Sequence, residues 1–177
     1  GRPSASPIFA IAGYASIPWW SRRSRGSPSR SSLFRWARRP PCTSAICRIR
    51  TGVKLDGTLI AREAEVLMDT GAYADNGPRV AKRAASRIHG PYAIKHCTVD
   101  VLAVYTNTVP AGSMRSIGGP QTIWALESHM DSIARRLAID PLEFRLKNLL
   151  KPGEKLRAVA RPIDADLQMG ANNATRG

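Results

Sequence analysis

Acidic residues are missing from the first fifty positions of this 177-residue chain, which hold ten Arg and no Lys. The other 17 basic residues and all 13 acidic ones lie in 51–177, a net of +4, so ten of the fourteen excess charges belong to the first fifty residues. A pI near 10.8, which would ordinarily suggest nucleic acid or an anionic surface as partner, therefore describes one segment and not the whole chain. Cysteine is scarce. Cys42, Cys47 and Cys97 form no Cys-x-x-Cys pair, which excludes a zinc ribbon or a dense disulfide scaffold and leaves three reduced thiols of a cytosolic, cytoplasmic chain. His89, His96 and His129 are scattered without ligand spacing. Long hydrophobic runs are also missing. The apolar stretch over 8–20 is broken by Gly13 and Pro18 and followed, not preceded, by Arg22 and Arg23, so it matches neither a membrane span nor a secretory signal. No Gly-x-Ser-x-Gly, Walker loop, His-Glu-x-x-His or Rossmann glycine pattern is present.

What is there divides into three parts. Residues 1–43 are rich in Arg, Ser and Pro and hold three of the four Trp. They sustain no period, have little to bury and repel themselves, so they are expected to be disordered. A nucleic-acid-binding basic arm, a disordered linker and an out-of-frame translation joined to an in-frame domain are the three readings. Enrichment in Arg, Ser, Pro and Trp without Lys, Asp or Glu fits the third best, and a damaged gene's non-functional product stays open with it. Gly1 in place of Met points to an internal fragment or a processed chain.

Residues 44–150 are patterned. Cys47, Ile49, Thr51 and Val53 alternate with Arg48, Arg50, Gly52 and Lys54, the mark of a half-buried strand. Asp56-Gly57 supplies a tight turn, and a second strand over 58–69 puts Ile60, Ala64, Val66 and Met68 on one face. A helix opens at Pro78 and stops before Gly90-Pro91. Val99 to Tyr105 is apolar on both faces, the pattern of a strand covered on both sides. After a loop over 106–120, Ile123, Leu126, Met130, Ile133 and Leu137 step by three and four along one helix face. Asp140-Pro141-Leu142-Glu143 opens a last helix with Asp140 as its N-cap, and Leu142, Leu146, Leu149 and Leu150 form its apolar side. Residues 151–177 read as a tail. The fold class is α+β: an antiparallel hairpin plus a further strand, with flanking helices.

The loop between strand and helix is the candidate site. Gly118 and Gly119 permit close backbone approach, the N–H groups before the helix favour an anion, and Arg115 is the loop's one charge. A guanidinium beside exposed amides can grip a phosphate, although a solvated arginine at a helix entry explains the same residues on physics alone.

The run YTNTVPAGSMRSIGGPQ, followed by ALESHMDSIARRLAIDPLEFRLKNLL, resembles the molybdenum-cofactor-binding large subunit of the xanthine dehydrogenase/aldehyde oxidase family, and the upstream TGVKLDGTLIAREAEVLMDTGAYAD is similar to that family's hairpin. The resemblance implies a partial molybdopterin-binding domain over 44–150, too small to be a working enzyme alone. It implies that Arg115 and its neighbour Met114 lie against the pyranopterin, with Gly118 and Gly119 as loop glycines. It places Ile117 where many members carry a substrate-stacking Phe, and matches Arg83 to a substrate-facing arginine of purine-oxidising members. Ser116 and Ile117 depart from the family's usual Gly and Phe, which puts face-to-face stacking of an aromatic substrate in doubt. The family's upstream glycine-rich cofactor loop and its downstream Gly-x-Gly-Glu segment are not found in the 177 residues. The implied parent reaction is oxidative hydroxylation of an aldehyde or N-heterocycle, with electrons leaving through 2Fe-2S clusters and FAD on partner chains. No membrane and no nucleic acid enter that reading.

Overall fold

The structure, a computed structural model, describes residues 8–16, 43–113, 115–155 and 163–174. Four strands, β1 (Ile8–Ser16), β2 (Ala45–Lys54), β3 (Leu59–Gly71) and β4 (His96–Tyr105), form one mixed sheet in the order β1-β2-β3-β4. The helices are α1 (Gly77–Arg87), α2 (Gly119–Leu137), α3 (Pro141–Asn148) and α4 (Leu167–Ala174). The α+β class is as the sequence pattern predicts, and no helix among the described residues is long and apolar enough to cross a membrane.

The hairpin forms because its turn chemistry and its alternation agree. Gly57 takes φ +84°, its N–H donates to the Lys54 carbonyl at 2.9 Å, and the Asp56 carboxylate accepts from the Thr58 N–H at 2.9 Å. Cys47, Ile49, Thr51 and Val53 point inward from β2 as expected. The outer face carries cross-strand ion pairs, Arg48 to Glu65 at 2.6 Å and Arg50 to Glu63 at 3.7 Å, which exposure makes worth little individually. On β3 the expectation needs one correction. The register skips a residue beside Gly52 and Val53, pairing Val53 with Leu59 and Gly52 with Ala61. That bulge gives the inward place to Leu59, buried, and leaves Ile60 half-buried.

β3 and β4 run parallel, and α1 makes the crossover, packing Val80, Ala81, Ala84 and Ile88 on the inner sheet face with Ala64, Val66 and Met68. α2 and α3 close a second cluster around Leu126, Met130, Ile133 and Phe144. Ile123, expected on the buried stripe of α2, is 43% exposed, and Thr122, Ala125 and His129 are buried instead, because the first turn of α2 packs through small residues. α3 is capped by Asp140, whose carboxylate accepts from the N–H groups of Leu142 (2.8 Å) and Glu143 (3.0 Å). Its buried contact is Phe144, with Leu142 exposed. Asn148 then docks the helix on the hairpin, accepting from the Leu59 N–H and donating to the Gly57 carbonyl, both at 2.9 Å.

Two further expectations change. Residues 8–16 lie in the segment expected to be disordered, yet pair antiparallel with β2 from Ile8 opposite Lys54 to Ser16 opposite Ile46. This nine-residue stretch holds no arginine, so the segment's average composition hides a local run able to join a sheet edge. The rest of 1–42 lies outside the described residues. β4 is not covered on both faces: Leu102, Val104 and Tyr105 are 53%, 41% and 66% exposed.

A buried cation sits at the junction of the two clusters. Arg62, 2% exposed, donates to the His89 carbonyl (3.1 Å), Met130 Sδ (3.2 Å) and Thr51 Oγ1 (3.4 Å). Thr51 Oγ1 also lies 3.0 Å from His129 Nε2. Burial, with Arg62 and Arg136 nearby, pushes His129 down from 6.5 to about 4. A histidine held neutral supports the fold fully above pH 6.5 and loses that support as pH falls towards about 4, because the unfolded chain takes up the proton first. The loss over this window is on the order of 3 kcal/mol. Urea unfolding should therefore weaken between those two pH values in the wild type and much less in His129→Gln. Equal slopes in the two proteins would exclude His129 as the cause.

Candidate functional site

The loop leaving β4 is anchored at three points before it reaches α2. The Asp69 carboxylate, at the end of β3, accepts from the Gly71 N–H (2.7 Å) and from the hydroxyls of Thr106 (2.6 Å) and Thr108 (3.3 Å). The Ala111 N–H reaches the Thr70 carbonyl at 3.0 Å. Thr43 then clamps the middle of the loop. Its backbone N–H and its hydroxyl donate to the Gly112 carbonyl at 3.1 and 3.2 Å, while its carbonyl accepts from Gln121 Nε2 at 2.7 Å. That bond fixes the Gln121 amide with its oxygen turned away from Thr43, and this Oε1 is buried without a hydrogen-bond partner among the described residues. An orphaned buried acceptor costs about 1–3 kcal/mol.

The loop then turns through three successive left-handed residues, Ser116 (φ 61°), Ile117 (φ 32°) and Gly118 (φ 72°). A β-branched residue at positive φ is a strained exception. The turn is held by the Gly119 N–H on the Ser116 carbonyl at 3.0 Å and by Arg87 Nη1 on Ser116 Oγ at 3.0 Å. Among the described residues no side chain caps the first turn of α2; the Gly119 N–H is taken by the Ser116 carbonyl and Pro120 carries none, so Gln121 brings the next backbone donor of that turn.

The residues singled out by sequence fare differently. Arg115 is exposed, and its guanidinium makes no hydrogen bond or ion pair among the described residues. Gly118 and Gly119 are buried, and their tight neighbours belong to this chain. A Cβ on Gly118 would lie 2.8 Å from the Val80 carbonyl oxygen, and one on Gly119 would lie 2.8 Å from Arg87 Nη1. These glycines let the loop sit on α1. Ile117 is half-buried and packs against the core under α1. Arg83 is exposed on α1; the arginine that α1 sends to the loop is Arg87. Met114 lies outside the described residues. Sequence reasoning missed Thr43, Asp69, Arg87 and Gln121. For Gln121 a signal existed, its place directly after Gly-Gly-Pro. For Thr43 there was none, because its role depends on a partner 69 residues away. Among the described residues no three His, Cys, Asp or Glu gather to hold a metal ion.

The candidate site is thus a strained, arginine-bearing loop that the parallel pair β3–β4 feeds into helix α2. The family model described as molybdopterin cofactor-binding domain matches residues 38–149, and the chain belongs to that family. It is 42% identical over 104 residues to a probable xanthine dehydrogenase subunit of Bacillus subtilis, covering 59% of this chain and 14% of that protein. It is 40% identical over 107 residues to the nicotinate dehydrogenase large molybdopterin subunit of Eubacterium barkeri, covering 60% of this chain and 25% of that one. The solved aldehyde oxidoreductase from Desulfovibrio gigas superposes with a TM-score of 0.70 at 30% identity, over 76% of this chain and 15% of that chain. The chain thus spans about a seventh of the first of these curated relatives and a quarter of the second.

The strain in the turn is testable. Replacing Ser116 with glycine removes a left-handed penalty of roughly 1–2 kcal/mol and one exposed hydrogen bond. Ser116→Gly should raise the stability of the chain by up to about 1 kcal/mol in urea unfolding. A clear loss of stability would mean that the Arg87–Ser116 bond outweighs the backbone strain.

Proposed function

We propose that this chain supplies one wall of the molybdopterin site of a molybdenum hydroxylase, an oxidoreductase acting on an aldehyde or N-heterocycle, and that it is inactive alone. The observation that carries the reading is the loop over 110–121. Among the described residues it combines a guanidinium at Arg115 without a partner, a start of α2 that no side chain caps and a buried Oε1 of Gln121 without a hydrogen-bond donor. A phosphorylated pterin presents an anion for the first two and ring N–H donors for the third, so the residues present fit the group. When bound, that cofactor supplies the molybdenum centre at which the substrate is oxidised.

The chain's own part is binding and orientation. Arg115 and the backbone at Met114 form the cofactor contact. Gly118 and Gly119 hold the turn down on α1 so that the contact keeps its place. The substrate side is assigned to Arg83, exposed on α1, and to the part of Ile117 that the core leaves accessible. The FAD- and 2Fe-2S-bearing partner subunits and a cytoplasmic location belong to the same reading. The dehydrogenase and oxidoreductase names of the relatives lend it support and lend none to a nucleic-acid arm.

The test is cofactor content in an intact large subunit carrying this loop. A bidentate clamp needs the planar fork of arginine as well as its charge. Molybdenum per chain, measured by mass spectrometry, should fall strongly in Arg115→Ala and in part in Arg115→Lys. A solvated arginine predicts full loading in both and a stability change within about 0.5 kcal/mol. Wild-type molybdenum in Arg115→Ala refutes the role.

A further inference from the structure

Gly119 is a glycine without a backbone reason. Its φ is not left-handed, unlike that of Gly118 at 72°. What it lacks is room. A Cβ at 119 would lie 2.8 Å from Arg87 Nη1, 3.1 Å from Arg87 Cδ and 2.9 Å from Ser116 Oγ, closer than side chains pack. The space that a side chain would fill is taken by Arg87 on its way to Ser116, whose Oγ accepts from Nη1 at 3.0 Å. The other end of Arg87 is fixed as well. It stands in the last turn of α1, its carbonyl accepts from the Gly90 N–H at 3.1 Å, and Ile88 beside it is buried. Among the described residues no carboxylate pairs with this guanidinium.

Ser116, which it reaches, is a residue that needs a tether. It opens the run of three left-handed residues at φ 61°, a conformation that glycine takes freely and an L side chain does not. It is exposed, so burial does not hold it there. On its other side stands Arg115, whose carbonyl accepts from Ser113 Oγ at 3.2 Å. The backbone of Arg115 is thus tied from before by Ser113 and from behind by Ser116 and Arg87, while its guanidinium stays outside both ties. We propose that Arg87 is the positioning residue of this loop: threaded through the slot left by Gly119, it keeps Ser116 left-handed and so fixes the direction in which Arg115 leaves the turn. The proposal rests on the reading of Arg115 as a cofactor contact. One consequence separates it from a general support of α1. With glycine at 116 the left-handed turn needs no tether, and Arg87 becomes dispensable.

Arg87→Met keeps the stem beside Gly119 and removes the donor. In the whole chain, exchange of the Gly119 amide, which bonds the Ser116 carbonyl, should quicken about tenfold in Arg87→Met. Added to Ser116→Gly, the same change should leave the rate where Ser116→Gly alone puts it. In an intact large subunit carrying this loop, molybdenum per chain should fall about threefold or more in Arg87→Met and not at all when Arg87→Met is added to Ser116→Gly. Unchanged exchange or unchanged loading in Arg87→Met overturns the proposal. So does a loss that persists with Ser116→Gly, which would mean that Arg87 touches the cofactor itself or only stabilises α1. Depletion in Arg115→Ala with full loading in Arg87→Met leaves the cofactor reading standing without this proposal, whereas full loading in Arg115→Ala overturns both.

Discussion

The structure turns on a buried positive charge. Arg62 occupies an inward position of β3 between two hydrophobic clusters, and among the described residues no carboxylate pairs with it. Desolvation lowers its pKa to about 10, which leaves it cationic at neutral pH. A charge so placed must be solvated by the protein or it would not stay buried. The His89 carbonyl, Thr51, Met130 and the face of Tyr92, whose ring centre is 5.9 Å away, perform that task. Tyr92 passes the requirement on. Its hydroxyl donates to Glu127 at 2.9 Å, and Glu127 accepts from Arg145 Nε at 2.8 Å. One inward arginine thus sets the relative positions of β2, β3, the chain after α1, α2 and α3. His129, beside Thr51, is kept neutral by the same arrangement.

Much of this was legible in advance, and the boundary of legibility is physical. Alternation along 47–53, the Asp56-Gly57 turn, Pro78 at the start of α1 and the Asp140 cap are local signals, each resolved within a few residues, and each element formed where they placed it. What local pattern does not carry is register and side-chain partnership. The bulge that replaces Ile60 by Leu59 depends on how β2 meets β3. Arg62 reads as one more polar position in an alternating strand until its partners, up to 68 residues distant, are known. Ile8–Ser16 was hidden for the opposite reason, because the surrounding arginines dominated the average.

The candidate site shows the same division. Resemblance located the loop over 110–121, and composition explained why glycines and an arginine suit it. Neither could say that the glycines serve α1, that Arg87 and not Arg83 reaches the loop, or that Thr43 clamps Gly112 and Gln121 together. These are contacts between segments far apart in sequence, and they decide which groups are left over for a ligand.

What is left over is informative because the groups that support the loop are themselves engaged. Asp69 gathers three donors, Thr43 uses its N–H, hydroxyl and carbonyl, and the Gly119 N–H closes the left-handed turn. Within that frame, the groups left without a partner among the described residues are the cation at Arg115 and the buried acceptor of Gln121. A loop stabilised for its own sake would have used them internally. Instead the backbone accepts a β-branched residue at positive φ, a strain that persists where surrounding contacts over-determine the conformation. The scaffold holds the turn rigid from below, through Val80, Ala84 and Arg87, and leaves its donors and acceptor unspent above. That separation of supporting contacts from presented groups is the arrangement on which the proposed cofactor contact rests.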